Sequence, residues 1–557
     1  MAEAATAAAA RAVAQRPPAM RWWGWGDPTH GASLPQHALR FLRETVGSGA
    51  PRPPVALANV RLEPSRLRAE VLAALRGVVG ADAVSDAHGE RVLHAAGKGY
   101  ADLVRLRRGE PEGAPDAVVW PADHEQVAAV LALCGRESLA VVPFGGGTSV
   151  VGGVAPLRSS HAAVIALDLG RMGALLELDR SSLTVRVQAG ARAIALESHL
   201  GGLGLTLGHF PQSYEYVTLG GCAATRSAGQ SSTGYGSFEK LVLGVRLAAP
   251  AGELALPALP ATAAGPSVRG LLVGSEGAFG VISELSLRVR PQPAERSCEG
   301  VFFESFAAGL AALRELAREH ALPDVARLSD EPETRMSMAL AGGGAGALAA
   351  RLYLGARGYG GGCLAIFGFE GPAGEAAQRR ARARALVRRC GGLRLGAAPG
   401  RAWLRSRFEG PYLRDELLTH GVMVETLETA AQWSLVPQLH RSVGRAIAGA
   451  LSAGGTPGLV MCHVSHLYET GTSLYFTFLA RQREGEEIEQ WQQAKRAASD
   501  AIVAGGGTIT HHHAVGRDHR PWMAQEIGAQ GIAALQAVKA QLDPAGIMNP
   551  GKLLPSP

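Results

Sequence analysis

Aromatic residues make up only 5% of this 557-residue chain, and no basic run is interleaved with them. The stacking platforms used to bind nucleic acids are therefore missing. Lysine is scarcer still: of 55 basic residues only Lys98, Lys240, Lys495, Lys539 and Lys552 are lysine, so arginine carries the net charge of +6. Arg, Ala and Gly are jointly in excess, so the charge reflects compositional bias, and no nucleic acid is expected as a partner. The six cysteines (Cys134, Cys222, Cys298, Cys363, Cys390, Cys462) stand far apart without a CxxC. That excludes a disulfide framework and suits a reducing compartment. No stretch approaches the ~20 apolar residues of a membrane span. The first 14 residues lack the order of a secretory signal, and the final Leu-Pro-Ser-Pro is not the peroxisomal Ser-Lys-Leu. Cytoplasmic placement is the expectation. There is also no GxGxxG after a strand and no GxxxxGK[ST], which disfavours a Rossmann site and a P-loop.

What is present is ample apolar content, 47% against 19% charged, enough for several packed cores. The organisation reads as four regions. Residues 1–110 form an arm and helical region, with an aromatic cluster at Trp22, Trp23 and Trp25 that is expected to cover a domain seam. Residues 111–294 alternate short β-rich runs with Gly-rich turns, giving an α+β unit and not a βαβ repeat. The prolines at 291 and 293 mark its end. Residues 295–503 alternate helical and strand patterns, interrupted by a Gly/Ala-rich stretch at 341–362 read as mobile. Residues 504–557 carry a histidine run, a helix near 531–542 and a turn-rich tail.

Three Gly-rich loops fall within 111–294. The first is Pro143-Phe144-Gly145-Gly146-Gly147-Thr148-Ser149, which follows an apolar strand. Consecutive glycines let backbone N–H groups converge on a phosphate; a flexible turn is the other reading. The second is Gln212-Ser213-Tyr214-Glu215-Tyr216-Val217-Thr218, followed by Thr225-Arg226-Ser227-Ala228. The third is Gly274-Ser275-Glu276-Gly277-Ala278-Phe279-Gly280. Three such loops feeding one sheet can line the long groove a dinucleotide requires.

His511, His512 and His513 are adjacent. Neighbouring imidazoles raise one another's cost of ionisation, favouring neutral rings able to accept a proton. On a strand they would alternate in direction, so all three reach one site only if the strand bends or ends there. A solvated turn and a two-histidine zinc face remain open readings, the latter without an obvious third ligand.

The ordered glycine loops resemble the FAD-binding domain of the vanillyl-alcohol oxidase/PCMH flavoproteins. Within that superfamily the chain looks most like the alkylglycerone-phosphate synthases, from the tryptophan cluster to the tail. The resemblance implies a two-subdomain PCMH-type FAD-binding domain, an α+β cap with an antiparallel sheet, and a C-terminal segment returning to the flavin. It implies FAD held without a covalent bond, because no RSGGH-type histidine stands beside the first loop. It also places Tyr475 as catalytic tyrosine, Arg414 as substrate-binding arginine, and His511–His513 in the active site. The activity implied is exchange of the acyl group of an acyl-dihydroxyacetone phosphate for a long-chain alcohol, with no net redox change. No metal is implied. The partner would be a lipid-like or anionic small molecule; peripheral membrane contact and a homodimer are left open.

A rival is an FAD-linked oxidase or dehydrogenase of a 2-hydroxyacid, whose tails look more like residues 542–552. Those enzymes carry a metal-binding H…NLH and Glu-His pattern. Here His463 stands at the first histidine, but Tyr475 takes the second and His512 takes the glutamate position. A scaffold protein that has lost catalysis is a third reading, opposed by retention of Tyr475, Arg414 and the histidine run. The Gly/Ala-rich 341–362 stretch replaces a bulkier apolar segment of the synthases and puts a long acyl chain in question.

Overall fold

The computed structural model describes residues 20–555 except Ala32, Ala341 and Gly343. The first 14 residues and the terminal Ser556-Pro557 read above lie outside them. Strands β1 (Val84–Ser85), β2 (Ala117–Val119), β3 (Leu139–Phe144) and β4 (Ala163–Asp168) form a sheet of order β1-β2-β4-β3. β2, β4 and β3 run parallel, which requires a crossover. Helix His124–Glu137 supplies it, begun by the Asp123 side chain accepting the Gln126 N–H at 2.8 Å. The second parallel connection, from β3 to β4 through residues 145–162, carries no helix, so the unit holds parallel strands without becoming a βαβ repeat.

A second sheet comprises β5 (Leu175–Asp179), β6 (Thr184–Gln188), β8 (Val242–Ala249), β9 (Gly252–Leu256) and β10 (Val281–Arg288), ordered β5-β6-β10-β8-β9 and antiparallel. β7 (Leu205–Thr206) pairs with β11 (Arg290–Pro291) beside it. Val119, Val141, Leu167, Val187, Leu247 and Leu285 from both sheets share one buried core.

The third sheet has seven antiparallel strands: β12 (Glu295–Phe303), β13 (Val325–Ser329), β14 (Cys363–Gly371), β15 (Leu393–Gly396), β16 (Val422–Gln432), β17 (Leu459–Val464) and β18 (Gly471–Arg481), ordered β15-β12-β14-β13-β17-β18-β16. β18 decides the geometry of the site. Its Leu474, Phe476 and Phe478 are fully buried in the core with residues of helices Phe306–Arg318, Val436–Ala453 and Glu487–Ala504. By the two-residue period of a strand, Ser473, Tyr475 and Thr477 face the other way.

One expectation changes. Within the stretch read as mobile, Ala345–Ala356 is a helix, as its Ala, Leu and Arg content favours once it is not read by complexity alone. It exposes Leu348, Leu352 and Tyr353. The tryptophan cluster does sit at a seam: buried Trp25 packs with Tyr216 and Tyr412, and Trp23 lies between the guanidinium groups of Arg21 and Arg107. Among the described residues no helix is long and apolar enough to cross a membrane.

Candidate functional site

One cavity of about 480 Å³ lies where the glycine loops, the third sheet and the tail meet. The first loop leaves the end of β3 and reverses through Gly147, whose φ of +65° suits glycine. Gly146 lies against the second loop so closely that a Cβ there would overlap the Tyr216 carbonyl. Among the described residues, the backbone N–H groups of Gly146, Gly147 and Thr148 donate to no protein acceptor. Unpaired donors on a Gly-rich turn make an anion-binding concavity, so the donor set fits a pyrophosphate.

The expected cofactor residues divide into two groups. Pro143, Gly145, Gly146, Gly147, Thr148, Ser149, Gln212, Ser213, Val217, Thr218, Thr225, Ser227, Ala228, Glu276, Gly277 and Gly280 line the cavity. The others are engaged elsewhere. Tyr214 stacks on Phe408, Glu215 accepts the Tyr412 hydroxyl at 3.1 Å, and Tyr216 packs edge-on to Trp25. Arg226 donates to the carbonyls of Val273 and Gly270. Ala278 and Phe279 are buried against Val515 and Met523, Ser275 is buried, and Gly274, at φ +95°, shapes the turn. Neighbouring residues in a loop point in different directions, so contiguity in sequence does not bring each of them to the cavity wall.

On the third sheet, register brings the chemistry together. His463 of β17 pairs with Tyr475 of β18, which pairs with Glu428 of β16. Residues opposite one another across a sheet share a face. The His463 and Tyr475 rings stack at 4.8 Å, and His512 lies 6.0 Å beyond Tyr475 at 23°. Arg327 donates to His463 and Glu333, and Glu333 lies 2.9 Å from His463 Nδ1.

Residues 511–513 form a bend, which lets all three imidazoles approach one place. The bend wraps around the Glu428 carboxylate. That group accepts the backbone N–H groups of His511, His512 and His513 at 2.6–2.9 Å and the Thr510 hydroxyl at 2.8 Å. Burial opposes its charge, but the three histidines and the backbone donors outweigh it and hold the carboxyl well below its usual range. Burial likewise pushes each imidazole down to about 4, so the rings are neutral at pH 7. Burial pushes the Tyr475 phenol up to about 12, so it keeps its proton. His512 and His513 line the cavity with Tyr475 and Arg414. His511 stands behind them, its Nδ1 2.8 Å from His512 Nδ1 and its Nε2 bonded to Tyr468.

Sequence reasoning missed Glu428, Arg327, His463 as a stacking partner and Glu333. Their roles depend on strand register and on contacts between distant segments, which no local pattern signals. It also missed His466, whose ring joins His511 and His512 with ligand atoms within 4.8 Å. The third imidazole that a zinc face lacked is therefore supplied. Both nitrogens of His466 are engaged, however. Nε2 donates to the Gly229 carbonyl at 3.0 Å, leaving Nδ1 to accept from Ser465 at 2.8 Å.

Residues 115–255 match the family model for an FAD binding domain, and residues 292–553 match that for the C-terminal domain of FAD linked oxidases. The alkyldihydroxyacetonephosphate synthase of Trypanosoma brucei brucei is 33% identical, over 97% of this chain and 93% of its own. A solved alkyldihydroxyacetonephosphate synthase superposes with a TM-score of 0.83 at 28% identity, covering 96% of this chain and 99% of its own. The p-cresol methylhydroxylase structure, at 15% identity and a TM-score of 0.67, shares the fold. With a cavity whose donors fit FAD and relatives matched over nearly their whole length, the chain belongs to the alkyldihydroxyacetonephosphate synthase (alkylglycerone-phosphate synthase) family of FAD-dependent enzymes.

Proposed function

We propose that this protein exchanges the acyl group of an acyl-dihydroxyacetone phosphate for a long-chain alcohol, forming an ether lipid precursor with no net redox change. The observation that carries the reading is that Tyr475, His512, His513 and Arg414 line the same cavity as all three glycine loops. The chemistry a bound reduced flavin supplies is nucleophilic. Arg414 offers the phosphate its fixed positive charge. Neutral His512 and His513 accept the proton beside the substrate carbonyl, and Tyr475 holds and returns a proton at its hydroxyl. The fatty acid departs as a carboxylate, and the alcohol enters with loss of its own proton. Placement in the cytoplasm and peripheral contact with lipid belong to the same reading. Exposed Leu348, Leu352 and Tyr353 support such contact.

The test is alkyl transfer from palmitoyl-dihydroxyacetone phosphate to hexadecanol, run beside dye reduction with D-lactate, glycolate and D-2-hydroxyglutarate. Ether product is expected; rapid dye reduction by a hydroxyacid with no ether overturns the reading. Tyr475→Phe is expected to abolish turnover while flavin stays bound, and an active variant removes Tyr475 from the mechanism.

A further inference from the structure

The tryptophan cluster has a part beyond covering a seam. Around Asp415, which is only 3% exposed, stand three buried or largely buried cations: Lys98, Arg107 and Arg414. Arg414 Nη1 donates to the Lys98 carbonyl at 2.6 Å, and its Nη2 lies 3.5 Å from Asp415. Lys98 Nζ donates to the Arg21 carbonyl at 2.8 Å. Asp415 is further occupied by the Trp25 backbone N–H. Asp102 and Glu416 act on the cluster from further out, but Asp102 also faces Arg105 and Arg517, and Glu416 lies against His420. One carboxylate thus faces three cations, and buried charge requires compensation. Three donors here also lack any partner: the Trp25 indole Nε1, Arg107 Nη1 and Arg414 Nε. Trp25, Lys98 and Arg414 all line the cavity.

We propose that Trp25 and Lys98 join Arg414 in a subsite for a phosphate monoester dianion, the head group of the substrate. Residues 73 or more positions apart in sequence would then close on one anion, with the N-terminal segment providing a wall of the site. The inference rests on the functional reading for the identity of the ligand, and on the charge imbalance and orphaned donors for its existence. A phosphate could also come from the cofactor's pyrophosphate, because the Lys98 N–H donates to the Ser149 carbonyl of the first glycine loop at 2.6 Å.

The experiment separates these sources. Flavin-loaded wild type, Lys98→Met and Trp25→Phe are titrated with inorganic phosphate and with dihydroxyacetone phosphate, followed by the flavin difference spectrum. FAD affinity is measured on the deflavinated proteins. Each variant is expected to weaken phosphate binding about tenfold or more, as loss of a charge-assisted or buried hydrogen bond does, with FAD affinity within about twofold of wild type. Unchanged phosphate binding overturns the subsite, and so does a loss confined to FAD affinity. Should Lys98→Met lose its flavin altogether, Trp25→Phe decides, since it keeps a ring and removes the N–H. Failure of the functional reading looks different: phosphate binding falls in the variants, yet wild type makes no ether.

Discussion

At Glu428 a carboxylate with almost no contact with water stays ionised because four donors converge on it. The imidazoles it organises are held neutral by the same burial. The sign of the pH dependence follows. Free imidazoles in the unfolded chain take up protons below about 6.5, whereas in the fold these three do so only near 4. Stability is therefore full above pH 6.5 and is lost as pH falls from there toward 4, where the unfolded state binds more protons. Glu428, depressed in the fold, acts in the same direction at still lower pH. Thermal melts between pH 7.5 and 4.5 are expected to show a steady fall in Tm below 6.5, and a flat profile would contradict burial of neutral rings. The histidine run was legible in the sequence because three in a row is rare. Glu428 was not, since one glutamate in a β-rich segment carries no mark of what its partner strand brings opposite.

Among elements, the contact between the first and second glycine loops is the tightest constraint on the cofactor groove. A methyl group on Gly146 meets the Tyr216 carbonyl, and backbone cannot yield as a flexible side chain can. Gly146→Ala is expected to push the loops apart and lower FAD occupancy of the purified protein by about tenfold, with the fold retained; bound flavin by absorbance against circular dichroism checks both. Strand and helix positions near the loops were readable from β-rich runs and Gly turns, and the observed strands lie close to them. The direction of individual loop side chains, as at Tyr214 and Arg226, was not. Direction in a turn is set by dihedral angles that a residue type only constrains.

For the molecule as a whole, the tail is the tie. Val141 of β3 donates to the Ile547 carbonyl and accepts from Asn549, both at 2.8 Å. The Asn549 side chain reaches the carbonyls of Gly153, at 3.1 Å, and Glu276, at 2.6 Å. Glu276 in turn accepts the N–H groups of Val515 and Gly516. The ends of the first and third glycine loops are thus stitched through the last residues of the chain. A chain ending at Leu542 is expected to purify with little or no flavin, and Asn549→Ala to show the same loss in smaller measure. Full flavin content in the shortened chain would refute the tie. From the sequence the tail looked like that of the hydroxyacid dehydrogenases, which reflects its structural task and says little about substrate.

The grip of Glu428 on main-chain atoms has a practical outcome for dissecting the three imidazoles. Because the carboxylate holds N–H groups that every residue but proline possesses, removing one ring leaves the scaffold beneath the other two intact. Single, double and triple exchanges at 511–513 can then be compared as a set, and any departure from simple multiplication of their effects reports coupling between the rings.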